Sequence, residues 1–394
     1  MIIQSKIKNY QCDFVEDIFD QKKEMFATVK FNRPFYLIDK NFFELYEKSL
    51  RAFIKDDFYL VIEAHENNKE YVKLAEYYKA LIEAGFQRSD CLITFGGGVL
   101  QDISGFIAST LYRGIKWIFI PTTLLAQADS CIGSKTSINF GESKNLIGTF
   151  YPPDFIAIDV ALCQTLPPHH LHSGVGEIIK FHLLSDSKRY DLLKKFLSSG
   201  EIIGNKYFQG VIVSTLEIKR SYFEADEFDT GRRNLLNYGH SFGHALESAS
   251  NFAVAHGEAV IFGMGFANLL ARKRGLMKEE RYQEFETLLR QYYPPFDLNS
   301  IGVNKLLYFL KKDKKRTGQD LTVILGRDIG DFAKYSDVKE EEVIATFNDF
   351  VKTYPNAGTP LSSDGDGRRS GRDSALKDST KRGATSFSSG GFTQ

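Results

Sequence analysis

The sequence predicts an α/β amino-terminal domain built on a parallel sheet, followed by a mostly α-helical carboxyl-terminal domain. Three observations carry that prediction. Short β-branched and aromatic runs alternate with helical patterns up to about residue 160, long amphipathic segments dominate from Pro167 to Tyr354, and the composition changes abruptly after Pro355. The chain has 394 residues, 43% of them hydrophobic. That is enough to bury two cores, since domains run to roughly 100–200 residues. We divide the chain at 1–160, 161–354 and 355–394.

The strand segments are FYLI at 35–38, FYLVI at 58–62, CLITF at 91–95, WIFI at 117–120 and FIAI at 155–158. Between the second and third, Leu74, Ala75, Tyr78, Leu81 and Ile82 fall at helical spacing and Gly85 supplies a stop. This is a βαβ unit. Further on, helices are expected over 192–197, 210–223, 241–250, 258–273 and 279–292, with few strand-like runs among them. The last forty positions are rich in Gly, Ser, Asp and Arg, which bury too little apolar surface to offset their ordering entropy, so 355–394 is expected to be a disordered tail.

Lys and Arg total 50 against 50 Asp and Glu. No global basic field draws the chain to nucleic acid or an anionic membrane surface. The first residues lack the apolar core of a secretory signal, and no run of about 18 apolar residues occurs, which predicts a cytoplasmic protein. Cys12, Cys91, Cys131 and Cys163 are far apart and form no CxxC pair; they read as reduced thiols.

Gly96-Gly97-Gly98 follows the 91–95 strand directly and opens a helix whose apolar face is Ile103, Phe106, Ile107 and Thr110. A strand, a glycine turn and a helix amino terminus form a Rossmann-like anion site, because backbone N–H groups converge where no Cβ blocks a phosphate. The spacing departs from GxGxxG, so taken alone the turn fits a tight bend as well as a pyrophosphate site. Asp102, read as lying on the first turn of this helix, would be stabilised there by the dipole. Asp39 and Asn41 end the first strand, and Glu66 and Lys69 follow the second, where loops meet a ribose or adenine.

Of eight histidines, His65, His169, His170, His172 and His182 read as surface or packing residues. The other three cluster. His240 and His244 stand four apart on one helical face, and His256 begins the next apolar helix after a short loop, a pattern that suits a metal. Glu177, set among small and apolar residues in GVGEIIK, is the candidate carboxylate ligand; an ion pair with a nearby cation is its other reading. Lys135, Lys144 with Asn145, Lys180, Lys219, Arg233 and the Asp313–Arg316 cluster are scattered cations of the kind that converge on a phosphate- and carboxylate-bearing substrate.

The blocks GGGVLQDISGF, RGIKWIFIPTTLLAQADSCIGSKTSIN, KNLIGTFYPP, GEIIK, NLLNYGHSFGHALE and HGEAV, in this order from residue 66 to residue 315, resemble those of the 3-dehydroquinate synthases, members of the sugar-phosphate cyclases. The resemblance implies a dinucleotide-binding domain followed by a helical metal domain. It implies Glu177, His240 and His256 as metal ligands, for zinc first and cobalt second. His244, Lys135, Lys180, Asn237 and Asp129 would be catalytic. Arg113, Lys144, Asn145, Lys219, Arg233 and Lys315 would bind substrate, with Arg113 reaching across the boundary of a homodimer. NAD would meet Asp39, Asn41, Glu66, Lys69, Gly96, Gly97, Gly98, Asp102, Thr122 and Thr123.

The implied reaction turns a sugar phosphate, 3-deoxy-arabino-heptulosonate 7-phosphate, into 3-dehydroquinate and phosphate. Its steps are transient oxidation by NAD, phosphate elimination, reduction, ring opening and intramolecular aldol closure. Asn237 and His244 are both retained, which favours this substrate over the valiolone and 2-deoxy-scyllo-inosose types. Gln101 stands where these synthases usually have Gly, Ser134 replaces a Gly of the GGKT block, and His65-Glu66-Asn67 replaces GEQ. Gln101 is expected to crowd the nicotinamide pocket. These departures keep an amino or deoxy variant of the cyclase reaction open, together with a catalytically silent NAD-binding relative. A metal-dependent alcohol or glycerol dehydrogenase would share the architecture and accumulate NADH.

Overall fold

The computed structural model describes residues 1–20, 26–55, 57–141, 143–312 and 320–354, all within one compact unit. The tail at 355–394 and the 313–316 cluster with Lys315 lie outside the described residues.

The strands are β1 Ile2–Ile3, β2 Tyr10–Phe14, β3 Pro34–Asp39, β4 Tyr59–Ile62, β5 Cys91–Gly96, β6 Lys116–Pro121, β7 Lys135–Phe140, β8 Ser143–Phe150, β9 Phe155–Ile158, β10 Leu321–Asp328 and β11 Asp331–Val338. Seven form one sheet in the order β1-β2-β9-β6-β5-β3-β4, parallel throughout except for the β1–β2 pair. Successive residues of the central strands enter different cores. Leu37, Leu92, Phe119 and Ile156 face one, while Ile38, Ile93, Ile120 and Ala157 face the other. A parallel sheet covered on both faces needs such near-continuous apolar runs.

From β3 the chain crosses to β4 on one side and then returns to β5 on the other. The carboxyl ends of β3 and β5 therefore flank a topological switch point, where open α/β sheets hold ligands. The Lys40–Ile54 helix leaves β3 with Asp39 as its cap, and the Gly98–Thr110 helix leaves β5 after the glycine turn.

The second half is mainly helical: Pro168–Leu183, Ser187–Leu197, Phe208–Ala225, His240–Ala249, His256–Lys273, Glu279–Arg290, Gly302–Lys312 and Glu340–Thr353. It also holds the antiparallel β10–β11 hairpin, in a stretch the sequence reading took as almost free of strands. Val323, Leu325, Phe332 and Val338 are buried there, and Phe332 packs on Tyr238 with ring centroids 4.6 Å apart. The edge strands β1 and β2 and the β7–β8 hairpin were not expected either. In β2 apolar Tyr10 and Cys12 alternate with Gln11 and Asp13, and β8 is largely exposed, so neither carries an apolar run. No described helix is long and apolar enough to cross a membrane, and all four cysteines are free and buried.

Candidate active site

Asp39, Asn41, Gly97, Gly98, Thr122 and Thr123 line a crevice of about 700 Å³ at the switch point. The Asp39 carboxylate accepts the Phe42 N–H at 2.9 Å, capping its helix; burial raises its pKa, and that backbone bond opposes the rise. No side chain caps the Gly98–Thr110 helix, so its first N–H groups are open to an anion. A Cβ on Gly97 would stand 3.0 Å from the Thr123 methyl group, whereas the space at Gly98 is open. These residues fit a dinucleotide phosphate: uncapped donors, a bare backbone and room in front of it. Gly96 turns the other way, toward Leu100.

His170 also lines this crevice, although the sequence reading assigned it to surface or packing; it sits just inside the Pro168–Leu183 helix, whose start faces the β5 end of the sheet. His182 is the packing residue of the set, fully buried with Nδ1 on the Ile178 carbonyl at 2.8 Å.

Glu66, Lys69 and Asp102 form one polar cluster beside the β7–β8 hairpin. Lys69 is buried, with Nζ 2.8 Å from Asp102 and 2.8 Å from the Asn145 side chain. Glu66 accepts from Asn139 at 3.0 Å. Asp102 is the fifth residue of its helix, past the reach of the open amino terminus, and burial raises its pKa against the pull of Lys69 and Ser137. The three tie the β7–β8 hairpin to the Gly98–Thr110 helix and to the loop after β4.

In the helical half, Glu177 is completely buried at the middle of the Pro168–Leu183 helix. His240 and His256 are the first residues of two further helices. Their Nε2 atoms each stand 3.6 Å from Glu177 Oε1, beyond hydrogen-bond reach. Each ring is turned by its other nitrogen, His240 Nδ1 meeting the Tyr238 carbonyl at 3.2 Å and His256 Nδ1 meeting Glu247 Oε2 at 3.3 Å. Such outer partners present the Nε2 lone pair to a cation. His244 belongs to the same group, with one nitrogen from each of the three histidines lying within 4.8 Å of the others, and it is the most exposed of them.

Burial alone would raise the Glu177 pKa, but Lys180, in direct ion-pair contact, and His256 outweigh it and hold it low. For His256 burial acts downward and is outweighed by Glu177 and Glu247, which push it up to about 10. Burial drives His240 well down, assisted by Lys180 and the neighbouring imidazoles. A buried carboxylate oxygen without a hydrogen bond, faced by two oriented imidazoles, fits a divalent cation.

The 3-dehydroquinate synthase N-terminal family matches residues 59–173, and the 3-dehydroquinate synthase C-terminal family matches residues 174–316. The chain belongs to the 3-dehydroquinate synthase family. The 3-dehydroquinate synthase of Clostridium acetobutylicum is 37% identical over 75% of this chain and 82% of its own length. That of Endomicrobium trichonymphae is 37% identical over 89% and 98%. Among solved structures, a 2-epi-5-epi-valiolone synthase of Streptomyces hygroscopicus with NAD+ and Zn2+ bound superposes with a TM-score of 0.79 at 28% identity, over 89% of this chain and 99% of that one. A glycerol dehydrogenase of Schizosaccharomyces pombe shares the fold at a TM-score of 0.61 and 16% identity.

Several of the remaining polar residues of the family blocks are held in pairs. Lys219, buried, donates to the Asp129 carbonyl at 2.7 Å and meets its carboxylate at 2.6 Å. Lys135 pairs with Asp229 at 2.7 Å, and Arg233 donates to the Glu227 carbonyl at 2.5 Å. Lys144 lies over the Phe252 ring, and Asn237 donates to the Asn234 carbonyl at 2.9 Å. Arg113 stands on an exposed turn after the Gly98–Thr110 helix, with a φ of 62°. Gln101 bonds to Ser130, and among the described residues the Ser134 Oγ is buried without a hydrogen-bond partner. Sequence reasoning missed Glu247; its spacing of three from His244 on one helix was the available signal.

Proposed function

We propose that the chain converts 3-deoxy-arabino-heptulosonate 7-phosphate to 3-dehydroquinate and phosphate, as a carbon–oxygen lyase dependent on NAD and a divalent metal, zinc first. The observation that carries this reading is the convergence of Glu177, His240 and His256 on one point, in a family whose members bear that name. When bound, NAD would supply a reversible hydride acceptor and the metal a Lewis acid for a substrate hydroxyl.

The chain's own residues would do the rest. Asp39, Asn41, Thr122 and Thr123 orient the nucleotide, and the open N–H groups at Gly97 and Gly98 take its phosphates. Glu177, His240 and His256 hold the cation. Lys135, Lys144, Asn145, Arg233 and Lys315 bind the phosphate and carboxylate, with the Asp129–Lys219 pair fixing a hydroxyl between them. His244, half exposed beside the cluster, passes protons between substrate and solvent, and Asn237 and Lys180 orient its neighbours. We further propose a cytoplasmic homodimer in which Arg113 serves the partner's site. Exposed Tyr71, Ile82 and Tyr112, grouped around an apolar recess beside it, support that arrangement.

The deciding experiment measures phosphate release from this sugar phosphate with catalytic NAD and zinc, before and after chelation. Metal-dependent release without NADH build-up is expected. NADH accumulation would replace this reading with a dehydrogenase, and silence from folded, NAD- and metal-loaded protein would move the substrate to another sugar phosphate.

A further inference from the structure

Gln101 occupies the first turn of the Gly98–Thr110 helix, between the glycine turn and Asp102. Its side chain is buried and makes a reciprocal pair with one residue: Nε2 donates to the Ser130 carbonyl at 2.6 Å, and Ser130 Oγ donates to Gln101 Oε1 at 2.6 Å. Ser130 ends the Ala126–Ser130 π-helical turn. The start of that turn is tied to the sheet by Gln127, which donates to the Pro121 and Asp159 carbonyls at 3.1 and 2.7 Å. Its far end carries Asp129, whose carbonyl and carboxylate both hold the buried Lys219 ammonium. Ser130 is thus the point at which a π-turn, a geometry with little intrinsic stability, is fastened to the nucleotide-side helix.

We propose that Gln101 is a positioning residue that locks the Ala126–Ser130 turn and so sets where the Asp129–Lys219 pair stands for substrate. The inference rests on the reaction proposed above. A smaller side chain at position 101 would leave the Ser130 carbonyl and hydroxyl without these bonds and free the turn to shift. An apolar side chain of the same length would remove both bonds while keeping the volume, which separates hydrogen bonding from packing.

The test uses the full-length holoenzyme and Gln101→Met. Loss of two partly buried hydrogen bonds predicts a KM for the sugar phosphate raised by about ten-fold, with kcat within about three-fold of the parent. NAD affinity should match the parent, and the melting temperature should fall by only about 2–4 °C. Gln101→Glu retains the acceptor for Ser130 Oγ but sets a carboxylate oxygen against the Ser130 carbonyl, so its KM should rise at least as far as in Gln101→Met. Adding Ser130→Ala to Gln101→Met should change KM by no more than about two-fold, because both act through one contact. Hydrogen exchange of the 126–131 amides should quicken in Gln101→Met. A parent-like KM overturns the proposal, as does an equal loss in KM, kcat and melting temperature, which would mark a packing residue. Should Gln101→Met fail to fold, Ser130→Ala alone, which removes the hydroxyl bond and keeps the one to the carbonyl, should raise KM by about three-fold, and a parent-like KM there overturns the proposal. If the parent releases no phosphate from this substrate, the proposed function fails, and unchanged exchange at 126–131 then overturns the positioning claim separately.

Discussion

Gly176 and Gly257 meet where the helix bearing Glu177 crosses the helix opened by His256: a methyl group on Gly176 would run into the Gly257 carbonyl oxygen. The Gly257 N–H in turn donates to Ser173 Oγ at 3.0 Å. Only backbones this close bring the carboxylate and the imidazole to one point. Gly257→Ala should therefore cost about 3 kcal/mol by overpacking and also lower metal retention. Gly210→Ala, on an exposed helix face with nothing near, should stabilise by about 0.5–1 kcal/mol. Urea unfolding of the two variants checks the contrast.

His256→Ala removes one of the two oriented imidazoles while leaving a residue that is good at opening a helix. Activity should be lost and bound metal should fall below one equivalent after dialysis, with circular dichroism unchanged. Full activity in this variant would sink the metal assignment.

Glu247→Gln keeps the shape of the side chain that meets His256 Nδ1 but withdraws its charge. Metal affinity should drop by about 10–100-fold, as for other second partners of ligating imidazoles. Competition with a chromogenic chelator reads this directly, without turnover.

Lys69→Met strands the Asp102 carboxylate beside the β7–β8 hairpin, at a cost of about 3 kcal/mol. Asp102→Asn added to it should recover part of that loss, since Glu66 is then the one former partner of Lys69 still charged. Denaturant midpoints of the single and double variants decide it.

Asp226 accepts backbone N–H groups from Thr230, Gly231 and Arg233 at 2.9, 2.7 and 3.0 Å, and these bonds lower its pKa to about 2. A carboxyl depressed on folding contributes stability that is full above the ordinary range near ~4 and disappears as pH falls through about 2. In Asp226→Asn the urea midpoint should fall at pH 7, and its further drop between pH 4 and 2 should be shallower than in the parent. An equally steep acid limb would show that other carboxylates carry it.

How much of this was legible depended on how local each signal is. The five strand runs at 35–38 through 155–158 announce themselves because a sheet covered on both faces demands apolar residues at every position. The β10–β11 hairpin was hidden inside a helical neighbourhood, and β8 is too exposed to form an apolar run. His240, His244 and His256 were readable from helical spacing and a short loop. The placement of Lys69 on Asp102 and Asn145, 33 and 76 residues away, was not, because such pairs depend on which loops the sheet order brings together. Resemblance points to Glu66, Lys69 and Asp102 by family motif; their bonds to the hairpin had no signal in the sequence.

The sheet order also has a consequence in time. Gln11 of β2 lies opposite Phe155 of β9, and β2's other flank is covered by β1 alone. During synthesis the Tyr10–Phe14 segment must wait on the ribosome with only β1 beside it until residues 155–158 have emerged. So long a loop makes that docking a late and slow event in folding. Until then the edge of β9 is an open template, and its capture by another chain is the misassembly this topology invites.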